Sequence, residues 1–235
     1  MDLPKPLLEG ALIRRYKRFL ADIRLADKEM VTVHCPNTGA MLGCADPGSR
    51  VWLSRSDNPT RKYPLTWEMV ETEKGVKIGI HTGRANGLVR EAIENGLLTE
   101  LQGYQRLKPE VRYGAENSRI DFLLDSGDSS KQCYVEVKSV TAANGNVAIF
   151  PDAVSSRGTK HLRELAKMAD QGHRAVILFC VQRGDVKEVR PAEMIDPEYA
   201  STLRYALEHN VEAIAYKALV TPKSIRLVSS LPVNC

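Results

Sequence analysis

The patterning of the chain changes abruptly near Thr82, and that change limits the folds open to it. Up to this point short alternating runs are separated by turn signals. Candidate strands are Ala11–Leu25, Met30–Cys35, Arg50–Arg55, Leu65–Glu71 and Val76–Ile80. Asn37-Thr38-Gly39, Asp46-Pro47-Gly48, Asp57-Asn58-Pro59 and Lys74-Gly75 punctuate them. Five strands with a long first one predict a small Greek-key barrel of the OB type, with a small β-sandwich fragment as the rival. After Thr82 helical and strand periods alternate. Asn86–Leu98 reads as a helix, followed by strands at Tyr104–Tyr113, Ser118–Leu124 and Cys133–Val140. Pro109 assigns the first of these to an edge or a bend. A helix over Thr159–Gln171 and a wholly apolar strand over Ala175–Val181 come next. Helix Pro197–His209 and strands Val211–Val220 and Ser224–Val228 complete the chain. The expectation is a mixed α/β (α+β) protein of two domains, residues 1–82 and 83–235, the second of order αβββαβ.

Composition narrows the function classes. The 235 residues are 43% hydrophobic and 26% charged, which excludes a long disordered or collagen-like chain. The apolar run Ala175–Val181 is far too short to span a bilayer. Met1–Lys5 has no apolar core of a secretory leader, so a cytoplasmic location without membrane contact is expected. Five cysteines form no C-x-x-C pattern and read as buried or incidental thiols. His34 and Cys35 are adjacent on a strand and point to opposite faces, which rules against a thiol–imidazole pair.

The net charge of +4 is compatible with a nucleic-acid partner without demanding one. The local signal is stronger. Arg14, Arg15, Lys17 and Arg18 are interleaved with Tyr16 and Phe19, and Arg61-Lys62-Tyr63 is a second basic run. Cations that neutralise phosphates beside rings that stack on bases are the means by which OB-type grooves hold single strands. The same pattern also fits a solvated barrel strand with its rings in the core.

In the second domain, a hairpin centred between Asp128 and Ser129 sets Asp121 opposite Glu136 on one face. Lys138, two residues on, shares that face. The flanking Ile120, Phe122, Val135 and Val137 are apolar. Two adjacent carboxylates repel, and a hard divalent cation, Mg²⁺ or Mn²⁺, relieves that while polarising a phosphate and activating a water. Lys138 could hold that water or stabilise charge developing on phosphorus. The alternative is a salt bridge from Lys138 to Asp121 or Glu136 on an exposed sheet face.

Asp on the second strand and Glu-x-Lys on the third of an αβββαβ order resembles the PD-(D/E)xK nuclease fold, with Ile120-Asp121 in place of Pro-Asp. The resemblance implies catalytic roles for Asp121, Glu136 and Lys138, metal ligation by Asp121 and Glu136, and an extra acidic residue at Glu91 on the first helix. A solvated helix carboxylate explains Glu91 equally well. Arg157, Lys160 and His161 fall near the start of the second helix, where backbone N–H groups also favour phosphate, or form a merely basic face.

The whole chain is similar to the bacterial sugar fermentation stimulation protein A family. The words that carry the match are His34–Met41, Arg61–Pro64, Tyr113–Glu116, Ser118–Phe122, Glu136–Thr141, Phe150–Val154 and Arg157–Leu162. The resemblance implies an OB-like domain followed by a nuclease-like domain, non-specific DNA binding, and a regulatory link to sugar, notably maltose, metabolism. RNA is the other candidate partner. A Mg²⁺-dependent nuclease supplied with substrate by the OB-like domain is the alternative function. A helix-turn-helix has been ascribed to the family near the C-terminus, but Val211–Tyr216 alternates like a strand, so helix then strand is expected over 201–220.

Overall fold

The computed structural model describes residues 1–114, 118–127 and 132–235. Glu116 and the hairpin centre at Asp128 and Ser129 lie outside the described residues.

The first sheet is built from β1 (Leu8–Tyr16), β2 (Leu20–Leu25), β3 (Met30–His34), β4 (Arg50–Arg55), β5 (Leu65–Glu71) and β6 (Lys77–Gly79). Its order is β3-β2-β1-β4-β5-β6, and His34 pairs with Thr66 to join β3 to β5. That bridge closes β1–β5 into a five-stranded barrel and sets aside the sandwich. The expected single strand over Ala11–Leu25 is a hairpin instead. It turns at Lys17 and Arg18, whose φ angles of 50° and 62° are left-handed. No Gly, Asn or Pro marks this turn, so the alternation reads straight through it. Leu12, Ile23, Val33, Val51, Leu53 and Trp67 fill the barrel. Trp52 and Met69 face outward and pack with the second domain. Between Trp52↔Met69 and Leu53↔Trp67 the register slips, leaving Glu68 as the extra residue of a β-bulge.

The second domain opens with α1 (Ala85–Glu94). Gly96, at φ 73°, ends it: the Leu97 N–H bonds to Ala92 O and the Gly96 N–H to Ile93 O, a Schellman closure. Then come β7 (Arg106–Tyr113), β8 (Ser118–Asp125), β9 (Gln132–Val140), β10 (Ala143–Asn144), β11 (Val147–Phe150) and α2 (Ser156–Asp170). The chain ends with β12 (Arg174–Val181), β13 (Glu188–Pro191), α3 (Pro197–Glu208), β14 (Val211–Val220) and β15 (Ile225–Leu231). The main sheet has the order β15-β14-β12-β9-β8-β7, with β9, β12 and β14 mutually parallel. Pro109 lies on β7, an edge strand, as expected. Residues 201–220 form the end of α3 and then β14 on the core sheet, the expected helix then strand. β10, β11 and β13 make a small separate sheet, each too short to stand out in the sequence.

Alternation along β12 divides the core. Val176, Leu178 and Cys180 face α1 and the barrel, while Ala175, Ile177 and Phe179 face α2 and α3. The first residues join this domain too: Asp2 bridges Ser224, and the Leu3 N–H donates to Lys223 O. Cys35, Cys44, Cys133 and Cys180 are buried thiols, and burial pushes that of Cys180 up to about 12. Among the described residues no helix is long and apolar enough to cross a membrane.

Candidate metal and nucleic-acid site

β8 and β9 pair from Phe122↔Val135 to Asp125↔Gln132. This is the expected register, and its next step aligns Asp121 with Glu136. There a side chain replaces the ladder: the Val137 N–H donates to Asp121 Oδ2 at 2.7 Å. Asn86, at the start of α1, donates to Asp121 Oδ1 at 2.8 Å. Glu136 is 3% exposed. Its Oε1 receives Lys138 Nζ at 2.8 Å and faces His161 Nδ1. Its Oε2 is buried and has no hydrogen-bond partner among the described residues.

The electrostatics of the two carboxyls differ in sign. Burial, reinforced by the charge of Glu136, raises the Asp121 carboxyl above its ordinary value. Burial also pushes Glu136 up, but Lys138 and His161 together outweigh it and hold that carboxyl below the usual range. Asp121 is therefore the carboxyl whose burial, with the charge of Glu136 beside it, is not fully offset.

The donor set fits a hard divalent ion. A buried carboxylate oxygen without a partner, next to a second carboxylate under repulsion, is a site where a cation supplies the missing interaction. Among the described residues no three His, Cys, Asp or Glu side chains assemble into a full protein cage. One or two carboxylates with the other positions left to water and phosphate oxygens is the Mg²⁺ pattern.

The other residues singled out in the sequence divide. Glu91 does not join the cluster, because its carboxylate pairs with the N-terminal ammonium of Met1. It lies five residues beyond Asn86, which turns it away around the helix. Arg15 is not a free phosphate ligand: its Nη2 donates to Arg18 O, Asn37 O and Gly39 O at 2.7, 2.9 and 2.7 Å. Arg14 pairs with Asp22 at 2.8 Å and lies over the Tyr16 ring, 5.1 Å from its centroid. The Tyr16 hydroxyl donates to Asp22 as well, so that ring is covered rather than offered for stacking. Lys17, Arg18 and Phe19 form an exposed tip, with Phe19 47% exposed. Arg61 donates to His34 Nδ1 at 3.0 Å, and Lys62 is exposed. Arg157 is exposed at the start of α2, Lys160 is half-buried, and His161 is buried against Glu136 rather than facing solvent. Cys35 is buried beside Met41, whereas the His34 ring meets Arg61.

Two residues at the site stand outside the Asp-Glu-Lys pattern. Asn86 is an ordinary helix-start residue until α1 is docked. Tyr113 ends β7 with a buried hydroxyl that has no partner among the described residues, pushed above the ordinary phenol range by burial and then by Glu136, Glu164 and Asp121. Gly114 has a left-handed φ of 70°, and a Cβ there would lie 2.3 Å from Glu164 Oε1.

Two family descriptions match the chain in order: "SfsA N-terminal OB domain" over residues 13–80 and "Sugar fermentation stimulation protein RE domain" over 83–224. A sugar fermentation stimulation protein homolog of Geobacter metallireducens is 58% identical over 233 residues, covering 99% of each chain. That of Pelobacter propionicus is 59% identical over 233 residues with the same coverage. The solved structure of Pyrococcus furiosus SfsA in complex with Ca²⁺ superimposes with a TM-score of 0.87 at 30% identity, covering 100% of this chain and 98% of that one.

Proposed function

The chain belongs to the sugar fermentation stimulation protein family, and from that membership and the geometry of its site we propose that it binds nucleic acid and cleaves phosphodiester bonds with a divalent metal ion. The observation that carries this reading is the buried Glu136 Oε2, without a hydrogen-bond partner among the described residues, beside Asp121 and two residues before Lys138 on the same strand. Asp121 and Glu136 would hold the ion, Mg²⁺ or Mn²⁺. When bound, the ion supplies Lewis-acid polarisation of a phosphate oxygen and a water of lowered pKa. Lys138, with its side chain 11% exposed, supplies a fixed positive charge for the pentacoordinate phosphorus and a donor to orient the attacking water. Asn86 and the Val137 N–H keep the Asp121 carboxylate in place while the strand is positioned. The Ca²⁺ in the Pyrococcus furiosus relative supports a hard-cation site of oxygen donors here.

DNA is the proposed partner, held without sequence preference by the exposed Lys17–Phe19 tip, Lys62 and Arg157, with RNA as the competing substrate. A second reading is favoured by Lys138 and His161 both closing on Glu136 Oε1. On that reading the protein is a non-cleaving DNA-binding regulator of sugar, notably maltose, metabolism. Incubation with single- and double-stranded DNA and RNA, with Mg²⁺ or Mn²⁺ and with chelator, separates the two. Metal-dependent cleavage that disappears in Asp121→Asn supports the enzyme. Binding without cleavage under every ion supports the regulator.

A further inference from the structure

The N-terminal half of α2 carries Arg157 and His161 one helical turn apart, on the face that meets β9. His161 is 5% exposed and its Nδ1 lies against Glu136 Oε1. On the far side of the ring, Arg157 Nε donates to His161 Nε2 at 3.4 Å. Arg157 is a donor only, so Nε2 accepts and the proton of a neutral ring sits on Nδ1. The ring therefore donates to Glu136, and the order Arg157→His161→Glu136 has a fixed direction. Lys138 Nζ donates to the same oxygen. Among the described residues both donors thus fall on Oε1 and none on Oε2.

We propose that His161 is a positioning residue: by holding Glu136 Oε1 it leaves Oε2 as the single oxygen that Glu136 offers to a divalent cation. The inference rests on the reading that Asp121 and Glu136 hold the ion, and adds what aims one of them. A carboxylate free to rotate would exchange its two oxygens between Lys138 and the ion. With Oε1 held from two sides, that exchange is closed and Lys138 stays beside the site instead of competing for it. Partners behind a metal ligand act in this way, orienting the ligand without touching the metal.

The test uses the full chain, freed of metal by chelator, with Mn²⁺ alone as probe and free Mn²⁺ read by electron paramagnetic resonance. Wild type is expected to bind Mn²⁺, and Glu136→Gln to lose it. His161→Ala should weaken the affinity by about 10- to 100-fold. His161→Asn should recover it to within a few-fold, because its amide nitrogen occupies the place of Nδ1. His161→Gln should not, because its amide reaches the place of Nε2. The contrast between Asn and Gln decides the matter even where Ala fails to fold. Wild-type affinity in His161→Ala, or Asn no better than Gln, overturns the inference and leaves the metal site standing. No Mn²⁺ uptake by the wild type overturns the metal site and the inference with it.

Discussion

Asp152 accepts the Met41 N–H at 2.8 Å, fastening a barrel loop to the segment that enters α2. The loop is shaped to receive it. Asn37 Oδ1 accepts the Gly39 N–H at 2.9 Å, and Arg15 gathers the carbonyls of Asn37 and Gly39. Met41 takes a left-handed φ of 56°. A Cβ on Gly39 would stand 2.3 Å from Asp152 Oδ1. The Asn-Thr-Gly turn thus serves the junction between the barrel and the second domain.

Gly39→Ala is expected to displace the Asp152 carboxylate and cost about 1–3 kcal/mol. Asp152→Ala removes the same contact. Since both changes act on one hydrogen bond, the double variant should be less destabilised than the sum of the singles. Thermal unfolding of the four proteins measures this. Strict additivity would show that the two residues do not act together.

Glu68, 1% exposed, receives Arg84 Nε and Nη2 at 2.6 and 2.7 Å and the Ser54 hydroxyl at 2.6 Å. Burial pushes its carboxyl up, but Arg84 and Ser54 outweigh this and hold it below the ordinary value. The folded protein therefore holds this proton less tightly than the unfolded chain. The stabilisation is complete above the unfolded carboxyl's pKa of about 4.3 and is lost as pH falls through the lower folded value. Glu68→Gln should cost about 3 kcal/mol near neutral pH, the lower end for a broken buried pair because Arg84 retains some solvent. That deficit should shrink below pH ~4. Melting curves across pH 3–7 check the sign.

Asp121→Asn and Glu136→Gln should each abolish the rise in melting temperature produced by Mn²⁺ or Mg²⁺, with the chelator-treated proteins keeping their folded spectra. Each change removes a negative charge near a polyanion, so DNA affinity should hold or increase slightly. Lys138→Ala should cut cleavage while leaving the metal-induced shift in place. Variants that lose folding and DNA binding together would show these residues to be structural.

The basic run should separate into two kinds of residue. Replacing both Lys17 and Arg18 with Ala should weaken DNA binding and flatten its salt dependence by about 1.5 logarithmic units per decade of salt, the value for two phosphate contacts. Arg15→Ala should instead destabilise the barrel by about 2–3 kcal/mol, as three carbonyls lose a charged donor. Filter binding at several salt concentrations and thermal melts distinguish them. A salt slope unchanged by loss of Lys17 and Arg18 would remove the tip from the interface.

Alternation and turn chemistry are local, so they suffice for the two-domain patterning, the strands β4, β5 and β14, and the β8–β9 register that brings Asp121 level with Glu136. A period of two leaves little freedom once both strands carry apolar flanks. The same logic failed at Lys17-Arg18, where a left-handed turn is made by residues that seldom make one. What lies around the two carboxylates is a different matter. Lys138 follows from the period of β9, but Asn86 and His161 reach the carboxylates from α1 and α2, and only the packing of those helices decides the meeting. Helix phase, set by which face is buried, sent Glu91 to the N-terminal ammonium and Asn86 to Asp121. Tertiary packing likewise made Arg15 a structural clamp and left Lys17 exposed two residues on. Charge is written in the sequence, but the partner each charge meets depends on the path of the whole chain.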